Sequence, residues 1–174
     1  MRWYWIDRYT EFVRGKRATA IKNVTLSEDH LHDHFKYHPV MPASLIVEGV
    51  AQTGGLLICD YHEFREKVVL AKLNKAVFFF DVYPGDTLTY SVVVDDISDK
   101  GAQISARSHV AGRLHAEFQI MFAHVEGELA KREFYSLSGY RHMLHSLGVY
   151  DVGVDENGNR IVEPEILKET KEYS

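Results

Sequence analysis

The chain is poor in several things, and each shortage narrows what it can be. It has one cysteine, Cys59, in 174 residues. A single thiol cannot close an internal disulfide, which excludes a small disulfide-stapled scaffold. It has no basic excess: Lys and Arg number 20 against 25 Asp and Glu, a net charge of −5. That balance argues against a nucleic-acid-binding surface as the main business of the protein. No apolar run approaches the roughly 20 residues a membrane helix needs. The opening MRWYWIDRYTEF is aromatic and charged and lacks the apolar stretch of a signal peptide. A cytoplasmic protein without a membrane span is therefore expected. No internal repeat and no low-complexity segment interrupts the sequence.

What is present is an ordinary globular share of hydrophobic residues, 45%, in a length close to that of one domain. Charge is unevenly spread. Residues 1–125 carry 14 basic and 15 acidic side chains, whereas residues 126–174 carry 6 and 10, so the acid sits in the tail. Histidines cluster as well, with His30, His32, His34 and His38 inside nine residues.

The order of elements can be read from periodicity. KRATAIKNVTL, residues 16–26, alternates and is rich in β-branched side chains, which predicts a strand. Residues 27–42 hold Pro39 and Pro42, each of which fixes φ and removes a donor, so a loop is expected with at most one helical turn after Ser27. Residues 43–61 are apolar almost all round, the mark of a buried helix. Gly49, Gly54 and Gly55 each weaken helix propensity by roughly 1 kcal/mol, so their use here is to let strands or a ligand approach closely. Strands follow at 68–80, 87–97, 102–111 and 113–125, with YPGD at 83–86 and short turns near Lys100 and Gly112. The last three form an antiparallel meander. One buried helix with a long antiparallel sheet is an α+β layered domain, taken as residues 1–125. Residues 126–174 read as an extension with a helix near 136–147 and a loose polar tail from 151.

Glu48 and Gln52 stand four apart on the otherwise apolar helix, so they share a face. A carboxylate in such a place is costly unless it is paired or neutral. Two readings follow: a structural Glu satisfied by Gln52 or by backbone, or a general acid. His34 lies 14 residues earlier, with both prolines between, so the loop can fold a base back toward the acid of this helix or of a partner's helix. The spacing His30-x-His32-x-His34, with Asp33 and His38 near, is an alternative as nitrogen ligands for zinc. It matches no closed structural site, and solvated loop histidines are the simpler reading of His30, His32 and His38.

The stretch HFKYHPVMPASLIVEGVAQ, residues 34–52, resembles the signature of the 3-hydroxyacyl-(acyl-carrier-protein) dehydratases of fatty-acid synthesis. His34-Phe35, Pro39-Val40-Met41-Pro42, Leu45, Glu48, Ala51 and Gln52 carry the match, supported by AIKNVTLSED upstream and PGDTL downstream. The resemblance spans about residues 15–125. It implies a hotdog fold, a long antiparallel sheet wrapped around one central helix. It also implies a homodimer, in some relatives a trimer of dimers, with the histidine of one subunit facing the acid of the other.

The activity implied is reversible dehydration of carrier-protein-bound 3-hydroxyacyl thioesters to trans-2-enoyl thioesters, in fatty-acid or related lipid synthesis. His34 would take the C2 proton and Glu48 would protonate the departing hydroxyl. The backbone N–H of Ala43 would serve the thioester oxygen, Gln52 would orient Glu48, and Phe35, Tyr37, Val50 and Phe78 would line or narrow the acyl path. No cofactor and no metal is implied. Four positions depart from the family pattern: Asp33 and Ala43 stand where glycine is usual, and Lys36-Tyr37 replaces Pro-Gly. The acyl carrier protein, an acidic partner, would need basic side chains, for which Arg65, Lys67, Lys72, Lys75, Lys100, Arg107 and Arg113 are candidates. A thioesterase on the same fold, or an acyl-binding homologue without turnover, are the alternatives.

Overall fold

The computed structural model of the protein describes residues 3–33, 35–125 and 136–168. Two strands, β1 (Arg8–Val13) and β2 (Arg17–Asn23), open the chain. A single turn α1 (His30–Asp33) and the long helix α2 (Ala43–Tyr61) follow. Four long strands come next: β3 (Val68–Phe78), β4 (Thr87–Ser98), β5 (Gly101–Val110) and β6 (Arg113–His124). The chain then forms α3 (Leu137–Ser146), α4 (Val149–Val152), the two-residue β7 (Gly153–Val154) and α5 (Glu165–Lys168).

All seven strands belong to one sheet in the order β3-β6-β5-β4-β2-β1-β7. Every pairing is antiparallel except the short parallel contact of β7 with β1. The central helix lies against this sheet, as the α+β hotdog reading expects, with bounds that coincide with residues 43–61. The meander of β4, β5 and β6 is also present.

Two glycines explain how a helix comes so near a sheet. A Cβ on Gly49 would lie 2.7 Å from the Trp5 carbonyl and 2.8 Å from the Tyr90 ring. One on Gly54 would lie 2.6 Å from Ile104 Cδ1. At Gly49 the obstacle is backbone, so only glycine fits there, whereas at Gly54 the end of the Ile104 side chain would have to move aside. Ile46, Val50, Leu57 and Ile58 fill the space around them and are wholly buried or nearly so. By length and composition α2 is the one helix among the described residues that could cross a membrane, where the sequence reading found no such run. Its burial within this sheet accounts for that composition: 61% of the window lies inside the protein.

Three features differ from the sequence reading. Strand β1 was not anticipated, because a bulge between Tyr9 and Glu11 breaks the alternation on which strand recognition rests. β3 ends at Phe78, two residues before the expected limit. Residues beyond 151 are not a loose tail: β7 pairs with β1 at Phe12 and Val13. Leu144, Val149 and Leu167 are fully buried in the same core as the sheet. The Leu147 carbonyl accepts from Tyr9 N at 2.8 Å, which seats the end of α3 on β1.

The far end of α2 is tied down by charge. Arg14, in the β1–β2 turn, donates from Nε to Asp60 Oδ2 at 2.7 Å and from a terminal nitrogen to Oδ1 at 3.1 Å. Asp60 is fully buried near the helix C-terminus, where the helix dipole also disfavours an anion. Burial pushes its carboxyl above the usual carboxylate value, and the Arg14 fork holds it back down. Arg14→Ala should leave that carboxylate buried without its partner and cost about 3 kcal/mol in urea unfolding. The deficit should shrink as pH falls, because protonation of Asp60 removes the unpaired charge; a deficit independent of pH would contradict this account.

Candidate active site

Helix α2 presents two faces with different duties. Ile46, Gly49, Val50, Thr53, Gly54 and Leu57 turn toward the sheet. Glu48, Ala51, Gln52, Gly55, Leu56 and Cys59 recur at spacings of three and four and form one wall of a cavity of about 230 Å³. Val68, Val69 and Leu70 of β3 and Phe122 of β6 supply a second wall, and Trp3 a third. Tyr140 and Met143 of α3 close the remaining side. The lining is mostly apolar, and Glu48 and Gln52 supply its one carboxyl and its one amide side chain, the polar pair of this cavity.

Gln52 has every polar atom of its amide engaged. Its Oε1 accepts from Trp5 N at 2.9 Å. Its Nε2 donates to the Trp3 carbonyl at 2.9 Å and to Glu48 Oε1 at 3.0 Å. The backbone of Trp3 to Trp5 offers one acceptor and one donor in fixed positions, so the amide can face only one way. Glu48 Oε1 is thereby an acceptor, and a proton on this carboxyl belongs on Oε2. The Tyr9 hydroxyl donates to the Thr53 carbonyl at 3.1 Å, holding the next turn of the helix to β1.

The other expected site residues fall in different places. Ala43 is exposed at the first position of α2, behind Pro42, whose carbonyl accepts from Leu45 and Ile46. The early N–H groups of a helix have no partner within it and point outward with the positive end of the dipole. The loop that leads there is anchored by buried Val40 and Met41 and by Met41 N donating to the Val82 carbonyl at 2.8 Å. Phe35 and Tyr37 are exposed, Tyr37 by 90%. Phe78 is half-buried, edge-on to Phe118 at 5.5 Å and to His115 at 5.7 Å. His115 itself is held below the usual histidine value by burial.

Val50 does not line the cavity. Two residues past Glu48, it is rotated about 200° around the helix and is fully buried against the sheet. His34 lies outside the described residues, as do positions 126–135 and 169–174. The imidazoles of His32 and His38 are used locally, by the Leu26 carbonyl at 3.1 Å and the Tyr83 hydroxyl at 3.4 Å. His30 stacks edge-on against Trp5 at 5.0 Å.

Of the thirteen lining residues, sequence reasoning named only Glu48 and Gln52 as site residues. Trp3 and Met143 are far in sequence from the motif, and Tyr140 sits in the extension. Leu56 and Cys59 could have been found by continuing the spacing of Glu48 and Gln52 along the helix. Among the basic candidates, Lys75 and Arg107 share Glu117 at 2.8 and 3.5 Å, and Arg65 pairs with Glu63 at 3.1 Å. Arg113 lies over the Phe80 ring, 4.1 Å from its centre.

Residues 3–121 match the model of the FabA-like domain. A curated relative from Clostridioides difficile (strain 630), named 3-hydroxyacyl-(acyl-carrier-protein) dehydratase FabZ, is 38% identical over 122 residues, 70% of this chain and 86% of its own. A relative of the same name from Thermomicrobium roseum is 36% identical over 127 residues, covering 72% and 85%. Among solved structures, the dehydratase heterocomplex ApeI:P of Xenorhabdus doucetiae superposes with a TM-score of 0.62 at 10% identity, over 77% of this chain and 91% of that one. A hypothetical thioesterase from Streptococcus pneumoniae, solved with coenzyme A, gives 0.54 at 10% identity, over 68% and 84%. At such identities the structural likenesses establish the hotdog fold alone.

Replacing Gln52 by Ala leaves the Trp5 N–H and Trp3 carbonyl without their partner. The expected loss is about 1–3 kcal/mol of stability, with a shift in tryptophan fluorescence as the N-terminal segment loosens. Unchanged fluorescence and stability would show that this amide does not hold the segment.

Proposed function

The chain belongs to the FabA-like domain family, and from that premise we propose that it is a hydro-lyase of fatty-acid synthesis, a 3-hydroxyacyl-(acyl-carrier-protein) dehydratase. It converts carrier-bound 3-hydroxyacyl thioesters reversibly to trans-2-enoyl thioesters. The observation that carries the assignment of roles is the polar pair Glu48 and Gln52, set in an apolar cavity within the matched segment.

In the proposed reaction His34 accepts the proton from C2. The C–H electron pair becomes the C2–C3 double bond as the C3–O bond breaks. Glu48 delivers the proton from Oε2 to the leaving hydroxyl, which departs as water. Gln52 positions this acid by occupying Oε1. Charge that builds on the thioester oxygen is met by the Ala43 N–H and the helix dipole. The exposed Phe35 and Tyr37, with Phe78, guide the acyl chain, whereas Val50 belongs to the core. Asp33 does not take part in this scheme.

We place His34 of one protomer against Glu48 of its partner, in a homodimer. Support comes from β3, an edge strand with exposed Val69, Leu70, Leu73 and Val77, the kind of edge that proteins cover. Assembly of such dimers in threes would be compatible with this edge. The acidic carrier protein would dock on basic side chains such as Lys72 and Arg113. A buried, unpaired thiol at Cys59 suits a cytoplasmic location.

Incubation with 3-hydroxybutyryl and crotonyl thioesters, followed by enoyl absorbance, tests the assignment. Glu48→Gln and His34→Ala should each lower turnover by about 10²–10⁴-fold. Free-thiol release without enoyl change would favour a thioesterase instead, and acyl binding without turnover a binding homologue. Met143→Ala should enlarge the cavity and raise the kcat/KM ratio of longer over four-carbon acyl chains; an unchanged ratio would remove α3 from the acyl path.

A further inference from the structure

We propose that His62, Glu66 and His124 form a binding site for a divalent metal of the zinc class, beyond the far end of the Glu48 cavity. The three come from elements that the fold locks together. His62 caps the C-terminus of α2, Glu66 lies four residues on in the link to β3, and His124 ends β6. Val125 N donates to the Lys67 carbonyl at 2.9 Å and Val68 is in register with His124, so the link and the strand end cannot drift apart.

Each of the three residues offers a ligand atom, and these atoms lie within 4.8 Å of one another. His62 Nδ1 is 3.7 Å from Glu66 Oε2, and the same oxygen contacts His124 Nδ1. The two imidazoles meet at 4.9 Å with their planes at 88°. A tetrahedral zinc with bonds of about 2.0–2.1 Å sets its ligand atoms about 3.3 Å apart, so the group needs only small side-chain adjustments to close on an ion.

Burial and hydrogen bonding point the same way. The His124 side chain is 6% exposed and His62 18%. Nε2 of His124 and Nε2 of His62 are buried without a hydrogen-bond partner, whereas His124 Nδ1 faces the Glu66 carboxylate. Buried imidazole nitrogens are normally satisfied, and a cation bound through one nitrogen of each ring would supply that nitrogen with a partner. Glu66 is 48% exposed and leaves a path to solvent. Two imidazoles and one carboxylate favour borderline cations over Mg²⁺ or Ca²⁺, and three protein ligands leave one position for water. Cys59, one turn away, is not a ligand: burial pushes its thiol up to about 11, and it faces the cavity.

A metal here would join the end of α2 to the end of β6, two elements whose neighbouring residues Cys59 and Phe122 line the cavity. The competing occupant is a proton shared between Glu66 and His124.

The full chain, stripped with a chelator and dialysed, is titrated with Zn²⁺ against a chromophoric competitor, and its metal content is measured by elemental analysis. One Zn²⁺ per chain, undisplaced by excess Mg²⁺, is expected, with a melting temperature that rises with zinc. Glu66→Gln keeps the shape of a half-exposed side chain and should weaken binding by at least about tenfold. His124→Gln should do the same, with circular dichroism confirming its fold, and His32→Gln should leave binding unchanged. If His124→Gln fails to fold, Glu66→Gln decides, together with the tetrahedral visible bands of bound Co²⁺. Absence of stoichiometric zinc, or zinc binding untouched by Glu66→Gln, overturns the site and leaves the shared proton. No substrate enters these measurements, so their outcome is independent of the dehydratase assignment.

Discussion

Helix α2 lies on the sheet with no side chain at the two points of closest approach. At Gly49 the helix meets the Trp5 carbonyl and the Tyr90 ring, and at Gly54 it meets Ile104. That contact fixes the rotation of the helix about its own axis, because only one face is smooth enough to sit there. Everything else on the helix then has a determined direction. Val50 must enter the core, and Glu48, Gln52 and Cys59 must face the cavity. A Cβ at Gly49 would push against the Trp5 carbonyl, force the helix off the sheet and move the acid with it.

The rotation alone would leave Glu48 on a flexible side chain. Gln52 removes that freedom by joining it to the backbone of Trp3 and Trp5, a segment outside any regular element. Trp3 and Trp5 thus belong to the framework that holds the Glu48–Gln52 pair. Its own position depends on β1, which is paired on one side with β2 and on the other with β7 of the extension. A chain of contacts therefore runs from residues 153–154 through β1 to the carboxyl in the cavity. The FabA-like match ends at residue 121, so Tyr140 and Met143 are features of this chain beyond the matched segment. They narrow a cavity whose other walls belong to the matched segment.

Much of this was legible beforehand, and the reasons differ by element. The helix at 43–61 showed because a run apolar on every face has few alternatives at that length. The meander showed because β4 to β6 alternate regularly and are separated by tight turns. Glu48 and Gln52 showed because polar residues four apart interrupt that run. β1 did not show, since its bulge at Thr10 breaks the period of two. In the extension the helix near 136–147 showed through its apolar spacing and is α3, but β7 did not, since it is only two residues long and its pairing depends on a strand more than a hundred residues away.

Local sequence determined the central helix and the meander strands, that Glu48 sits on an apolar helix, and, through the resemblance carried by residues 34–52, the family to which the chain belongs. These follow from interactions within a few residues, which periodicity and turn chemistry report directly. Only the tertiary structure decided which face of α2 is core, where Val50 points, what holds Gln52, and that the extension walls the cavity. It also brought His62, Glu66 and His124 together. Those outcomes depend on contacts between residues distant in sequence, set by the packing of helix on sheet and by strand order, and no local pattern carries that information.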